Sequence, residues 1–240
     1  MPLGGLHQRT SLAYLLLHAN KVVATSKLVD AVWRHQGPPT ARKMLHNAIG
    51  GIREMLAASR IPDEQVALVT RNPGYLLRVD PNLVDLHRFN QLVRSARAWR
   101  AARAWAAAAA VLREAMALWR GPVLADLVEA GIEWPDLSAI RNARLSAFED
   151  QMDAELAIGR HHDVIGQLEW ELTCDPMRER ICGQLMIALY RSGRQADALR
   201  VYQHTRRTLV EQMGLDPSPE LRQLQQSILD HDMTPVDASR

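Results

Sequence analysis

The sequence is poor in cysteine and aromatic residues and has no long apolar run. Its 240 residues include two cysteines, too few for a disulfide framework, and aromatic residues make up only 5%. The longest apolar run, 12–19, is well short of the roughly 18 residues that span a bilayer, and no signal-peptide cleavage site follows it. We therefore expect a cytoplasmic protein with no membrane segment, built mainly from helices that pack on helices.

Lysine is also scarce, and Lys21, Lys27 and Lys43 all lie within the first 80 residues. That stretch carries ten Lys and Arg residues against five acidic ones, whereas the remainder carries 19 against 22. The small net charge of +2 therefore conceals a basic first third. Such a division indicates one module that meets a polyanion and a second module with another task.

Residue patterns typical of an enzyme are not recognisable. No Gly-rich phosphate loop follows a predicted strand, and no Ser–His–acid order stands out. The spacing of His161, His162, Cys174 and Cys182 matches no zinc-ligand pattern, and Cys182 has the apolar neighbours of a core cysteine. We predict no catalytic residues, no cofactor and no metal site.

The first 80 residues are predicted to form three helices followed by a β-hairpin. In chain order, the predicted elements are a helix at 6–20, an extended piece at 22–24, helices at 27–33 and 39–57, and strands at 66–70 and 75–80. Asn20 is expected to end the first helix, Thr25 or Ser26 to cap the second, and Thr40 to cap the third. This order of elements is that of a winged helix-turn-helix.

The third predicted helix is amphipathic. Its apolar stripe consists of Leu45, Ile49, Ile52 and Leu56, and its opposite side carries Arg42, Lys43, His46, Asn47, Gly50 and Arg53. The polar side is either an ordinary solvated face or a recognition surface for the DNA major groove. Its place as the third helix before a hairpin favours recognition of DNA.

Two residues of the hairpin are candidates for DNA contact. Arg71 lies in the predicted turn, where an arginine is attracted by the negative potential of the minor groove. Tyr75 is predicted either to reach a phosphate or to pack in the core of the hairpin, and the sequence favours neither.

Residues 81–231 form the second predicted domain, and 232–240 a flexible tail. Helices are predicted at 85–98, 101–119, 136–158 and 218–229, with two more that begin after Ile158-Gly159-Arg160-His161 and, 34 residues later, after Ser192-Gly193-Arg194-Gln195. A 34-residue helical period is typical of tetratricopeptide repeats, which stack helical hairpins.

Charged clusters in this second half have two possible roles. The run Glu149, Asp150, Asp153 and Glu155 is either a solvated helix face, which we favour, or a contact with a basic partner such as RNA polymerase. The turn Arg178-Glu179-Arg180 is expected to form ion pairs on a helix surface.

Several segments resemble the actinobacterial antibiotic regulatory proteins (the SARP activators). They include PPTARKMLHNAIGGIREMLA and LVTRNPGYLLRVD in the first domain, and LWRGPVLADL and LMIALYRSGR in the second. The resemblance implies a mainly α protein: a winged helix of the response-regulator output type, followed by a bacterial transcriptional activation domain. That family usually has a small sheet before the first helix, which we expect to be largely missing here.

The resemblance also implies a function. It implies a transcriptional activator, typically of an antibiotic gene cluster, that binds direct repeats in a promoter as a homodimer. It further implies recruitment of RNA polymerase holoenzyme through its sigma factor and alpha subunit. The expected DNA contacts are Arg42, Lys43, His46, Asn47, Arg53, Arg71 and Tyr75, with Asn47 suited to adenine and Arg53 to a phosphate. The alternative is an interaction module that pairs with a full-length relative without strong DNA binding of its own.

Overall fold

The computed structural model describes residues 4–34, 36–59, 62 and 64–232. These form two compact units: the first takes in the described residues of Met1–Gln91 together with Leu118–Ala143, and the second those of Leu92–Ala117 and Arg144–Arg240. This division differs from the predicted one at residue 80. Beyond residue 232, the predicted tail lies outside the described residues.

The first unit begins with the predicted winged-helix order. Its elements are α1 (Leu6–Leu17), β1 (Val22–Ala24), α2 (Thr25–Trp33), α3 (Ala41–Ala58), β2 (Val66–Arg71) and β3 (Gly74–Val79). The three strands form an antiparallel sheet with β3 in the centre, where Tyr75 pairs with Val23 and Leu77 pairs with Leu68. The prediction of three helices and a hairpin is confirmed.

The core of this unit is centred on α3. Leu45, Ile49 and Ile52 are at most 1% exposed and pack with Leu15 of α1 and Leu28 of α2. The sheet adds Leu68 and Leu77 to the same cluster. The apolar stripe predicted from helical spacing is therefore the buried face of α3, although Leu56 at its end is only partly buried.

Asn20 lies beyond the first helix, because α1 ends at Leu17 and not at residue 20. Its backbone is left-handed (φ 64°), a conformation that Asn tolerates better than most residues. Its side-chain amide donates to the carbonyl of Val79 at 2.9 Å and accepts from the amide of Val79 at 3.0 Å. Asn20 thus extends the hydrogen bonding of β3 beyond the residues that pair with β1.

The predicted N-cap is wrong for α2 but correct in position for α3. Ala24 is the N-cap of α2, and the Thr25 hydroxyl donates instead to the carbonyl of Pro73 in the hairpin turn. Thr40 is the N-cap of α3, but its side chain makes no capping hydrogen bond.

Residues 118–143 pack on the winged-helix part within the first unit. The predicted loop after residue 120 contains a short helix, α6 (Ala125–Glu129). Leu127, Ile132, Trp134 and Leu137 form a buried cluster with Ala13 of α1 and Ala31 of α2. The Trp134 indole donates to the carbonyl of Ala31 at 3.1 Å, and this burial explains why the segment groups with the first unit.

Arg34 ties the end of α2 to the same segment. Its guanidinium donates to the carbonyl of Gly131 at 2.6 Å and to the Glu133 carboxylate at 2.7 Å. On the neighbouring helix α1, Arg9 pairs with Asp126 at 2.9 Å. Both ion pairs are exposed, so each adds orientation more than stability.

The remaining helices are α4 (Asp85–Ala101), α5 (Trp105–Ala117), α7 (Pro135–Ala157), α8 (His161–Cys174), α9 (Glu179–Arg191), α10 (Gln195–Met213) and α11 (Pro219–Leu229). The core of the second unit contains Met152, Leu168, Ile181 and Leu185, each at most 1% exposed. α8 and α10 follow the two predicted turns, where Gly159 and Gly193 have left-handed backbones. No helix among the described residues is long and apolar enough to cross a membrane.

The acidic run on α7 is mostly buried and paired within the protein, which corrects both interpretations. Glu149, Asp150 and Glu155 are at most 7% exposed. Arg180 of α9 lies within 3.1 Å of Glu149, 2.8 Å of Asp150 and 2.6 Å of Asp153. Burying carboxylates is costly unless cations and hydrogen bonds compensate them, which is what these contacts do.

The prediction of surface ion pairs in this turn is therefore wrong for Arg180. It is confirmed for Arg178, which pairs with Asp175 at 3.4 Å. Burial alone would lower the pKa of Arg180, but the carboxylates of Asp153 and Asp150 outweigh burial and raise it. Arg100 of α4 is a second cation in this network and lies 2.5 Å from Asp150.

Replacement of Arg180 by Ala is expected to destabilise the protein by about 1–3 kcal/mol. The loss leaves buried carboxylates short of a cation, but Arg180 is 42% exposed and Arg100 remains, which reduces the cost. Urea unfolding followed by circular dichroism measures the change. The control Arg178→Ala removes an i,i+3 pair and is expected to change stability by less than ~0.5 kcal/mol; equal effects of the two variants would contradict the network.

The two cysteines are expected to differ in reactivity. Cys174 is exposed and Cys182 is buried, and burial raises the pKa of the Cys182 thiol to about 11. Since the thiolate is the nucleophile, Cys182 is almost entirely unreactive at pH 8. An aromatic disulfide reagent should modify one thiol in the native protein and two in guanidinium chloride. Cys174→Ser should abolish the native reaction, and two rapidly modified thiols in the native protein would refute this assignment.

Candidate nucleic-acid interface

The polar side of α3 is the candidate recognition surface. Arg42, Lys43, His46 and Asn47 are all exposed, on the side opposite the buried Leu45 and Ile49. Within the described part of the chain, Arg42 and Lys43 make no ion pair. No described acidic residue neutralises their charge, and each side chain is exposed to solvent.

Gly50 continues this exposed side by one turn. A Cβ placed on Gly50 would have no neighbour within 4 Å, so packing of the protein does not require a glycine here. Gly51, by contrast, lies against the Gln8 side chain of α1, 3.1 Å from where its Cβ would be. The lack of a side chain at Gly50 leaves the helix backbone accessible from outside.

Arg53 is held by the hairpin. Its Nε donates to the carbonyl of Leu68 at 3.0 Å, and its terminal nitrogen donates to the Thr70 hydroxyl at 2.7 Å. Both acceptors lie on β2, one of the two edge strands of the sheet. Arg53 therefore joins α3 to the strand that ends at Arg71, a bracing role that residue spacing along one helix does not reveal.

The hairpin turn is fastened at its other side to α2. The amide and hydroxyl of Thr25 both donate to the carbonyl of Pro73, each at 3.2 Å. Gly74 lies between β1 and β2, and a Cβ at this position would stand 1.9 Å from the carbonyl oxygen of Val23. A glycine is required here by close approach of the two backbones.

Arg71 and Tyr75 have different environments. Arg71 is exposed at the end of β2, as expected for a residue at the tip of a wing. Tyr75 is 9% exposed and belongs to the core cluster of the first unit, which favours core packing over a contact with phosphate. Groups of three or more His, Cys, Asp or Glu side chains able to hold a metal are absent from the described residues.

Comparisons with known proteins agree with this architecture. Residues 7–77 match the family described as "Transcriptional regulatory protein, C terminal", and residues 84–229 match "Bacterial transcriptional activator domain". The chain belongs to the actinobacterial antibiotic regulatory protein family. This places it among transcriptional regulators, which as a class are not enzymes.

Individual members of the family align over almost the whole chain. The regulator EmbR of Mycobacterium tuberculosis is 36% identical over all of this chain and 61% of its own length. DnrI of Streptomyces peucetius is 35% identical over 92% of this chain and 83% of its own length. The chain thus spans about three fifths of EmbR and most of DnrI.

A solved structure shares the fold. Mycobacterium tuberculosis EmbR, in complex with a low-affinity phosphopeptide, superposes with a TM-score of 0.90 at 34% identity. The match covers 98% of this chain and 62% of that one. This chain therefore has the fold of a winged helix followed by a helical activator domain.

Two glycines provide a matched test of the hairpin and the helix. Gly74→Ala is expected to destabilise the protein by about 2 kcal/mol or more, because its Cβ collides with the carbonyl of Val23. Gly50→Ala, whose Cβ meets nothing, is expected to stabilise it by about 0.5–1 kcal/mol through helix propensity. Thermal and urea unfolding compare the two variants; effects of the same sign would contradict this account of the hairpin.

Proposed function

We propose that this chain is a sequence-specific DNA-binding transcriptional activator whose α3 enters the major groove. The supporting observation is the exposed set Arg42, Lys43, His46 and Asn47 on a helix whose opposite face is buried. Among the described residues, none of these four side chains forms an ion pair. A helix whose opposite face is buried holds its hydrogen-bond donors in fixed positions, as recognition of DNA bases requires.

The side chains differ in their proposed tasks. Arg42 and Lys43 carry full charge and contact guanine or phosphate, whereas the Asn47 amide pairs with adenine. Arg71 contacts the DNA backbone or the minor groove from the end of β2. Arg53, engaged with Leu68 and Thr70, has its main part in holding the hairpin against α3.

Gly50 has a steric part in this proposal. Its open position allows a DNA backbone or base edge to approach α3 more closely than a larger residue would. The cost of a glycine inside a helix, about 0.5–1 kcal/mol relative to Ala, is then offset by contacts made in the complex.

Membership of the family supports a more specific proposal. We infer that the chain binds promoter direct repeats as a homodimer and controls a secondary-metabolite gene cluster, as the family name indicates. Recruitment of RNA polymerase holoenzyme, through its sigma factor and alpha subunit, is assigned to the helical activator domain by the same resemblance. Transcription in vitro from a selected promoter, with and without this chain, tests the activating role.

Replacement of Arg42 by Ala is expected to weaken specific binding by about 1–3 kcal/mol, which is about 5- to 150-fold in Kd. The duplex is first selected from a random library by the purified chain, and fluorescence anisotropy then measures affinity. Lys43→Ala should also flatten the dependence of log K on log salt by about one unit if it contacts a phosphate.

The matched control is Arg207→Ala, which removes an exposed arginine on α10 and so changes net charge equally. It should leave both affinity and salt slope unchanged. If Arg42→Ala binds as tightly as the wild type, the assignment of α3 to base contact is refuted. If the purified chain shows no salt-dependent binding to duplex DNA, the interaction module is favoured instead.

A further inference from the structure

The first unit contains a cavity of about 840 Å³ that DNA recognition does not use. Its walls come from α1, from residues 83–89, from residues 118–127 and from Ile140 of α7. This volume lies within the range of pockets that hold drug-sized molecules, roughly 300–1,000 Å³. Most of the lining is apolar and includes Leu12, Leu16, Val84, Phe89 and Trp119.

The charged residues of the lining balance one another. Arg9 pairs with Asp126 at 2.9 Å, and Arg120 lies 4.0 Å from Asp85. Two arginines therefore face two aspartates, and the cavity has no surplus charge with which to attract an ion. An uncharged occupant matches this lining better than an anion or a cation, since either ion would lose its hydration without a dedicated counter-charge.

The wall at Leu124 has an unusual backbone. Leu124 adopts a left-handed backbone conformation, φ 48° and ψ 44°. Residues other than glycine rarely adopt this conformation, and a branched apolar side chain makes it less favourable still. Such strain occurs often at ligand-binding sites. At the mouth, Leu83 is 54% exposed, so an apolar surface remains open to solvent beside the cavity.

The cavity and the recognition helix share α1 as a support. Leu12 and Leu16 of α1 line the cavity, whereas Leu15 on the same helix packs against the buried face of α3. A molecule in the cavity thus contacts α1, the helix that packs against the buried face of α3. This contact lies on the side of α3 away from the candidate DNA surface.

We propose that this cavity is a binding site for an uncharged, largely apolar small molecule of drug-like size. The site goes beyond the proposed DNA-binding function and does not depend on it. An occupant held by α1 and residues 118–127 gives the first unit a means of sensing a hydrophobic compound.

Two fluorescent dyes with the same ring skeleton test the class of ligand. N-phenyl-1-naphthylamine is uncharged, and 8-anilinonaphthalene-1-sulfonate adds a sulfonate to the same rings. The purified full chain should bind the uncharged dye with a Kd at least tenfold lower than that of the sulfonate. Equal or tighter binding of the sulfonate would overturn the proposal.

Variants locate the binding. Val123→Trp fills the cavity from its lining and should raise the Kd of the uncharged dye at least tenfold. Its control, Val128→Trp on the exposed side of α6, lies outside the lining and should leave the Kd unchanged. Unchanged dye binding by Val123→Trp, with a wild-type circular dichroism spectrum, would refute the site.

A second variant tests the site independently, in case Val123→Trp does not fold. Leu83→Lys places a charge at the exposed mouth, where it is compatible with folding, and should also weaken binding of the uncharged dye. Its control, Leu229→Lys on α11, is similarly exposed at 45% and should have no effect. If both lysine variants bind the dye as the wild type does, the cavity is not where the dye binds.

Discussion

The buried contact of α3 with the rest of the first unit is the constraint on which that unit depends. Leu45, Ile49 and Ile52 are almost fully excluded from water, and α1, α2 and the sheet all supply side chains that cover them. Burial of each such side chain contributes about 1.5–3 kcal/mol. Because a helix has only one buried stripe here, the same contact determines which residues of α3 remain outside.

The hairpin depends on the same helix through polar contacts. Arg53 joins α3 to β2, Thr25 joins α2 to the turn, and Gly74 allows β1 and β3 to approach. Three elements that precede the hairpin in the chain, namely β1, α2 and α3, thus hold it in place. A hairpin alone is marginally stable in water, so these contacts are what give the proposed wing a defined position.

The second unit has a different dependence, on compensation of buried charge. Its long helix α7 carries three almost fully buried carboxylates, and arginines from α4 and α9 meet two of them. Compensated ion pairs of this kind add little net stability compared with apolar packing, but they are costly to mispair. The network therefore specifies how α9 packs on α7 more strongly than it stabilises the unit.

Much of the fold was predictable from local patterns. The helical spacing of Leu45, Ile49 and Ile52 identified the buried side of α3, and the alternation around Arg71 and Gly74 identified the hairpin. Exposure of Arg42, Lys43, His46 and Asn47 followed from the same spacing, because a residue's side of a helix depends only on its position in the turn. Family membership, too, was predictable from the order of such segments.

Contacts between distant residues were decided only by tertiary structure. The acids of α7 carry the composition of a solvated face, yet Arg180, 30 residues beyond Asp150, makes them part of the interior. Arg53 and Tyr75 have residue types suited to DNA, but β2 engages one and the core encloses the other. Composition and spacing describe what a side chain can bind; which partner it meets depends on the fold that brings distant segments together.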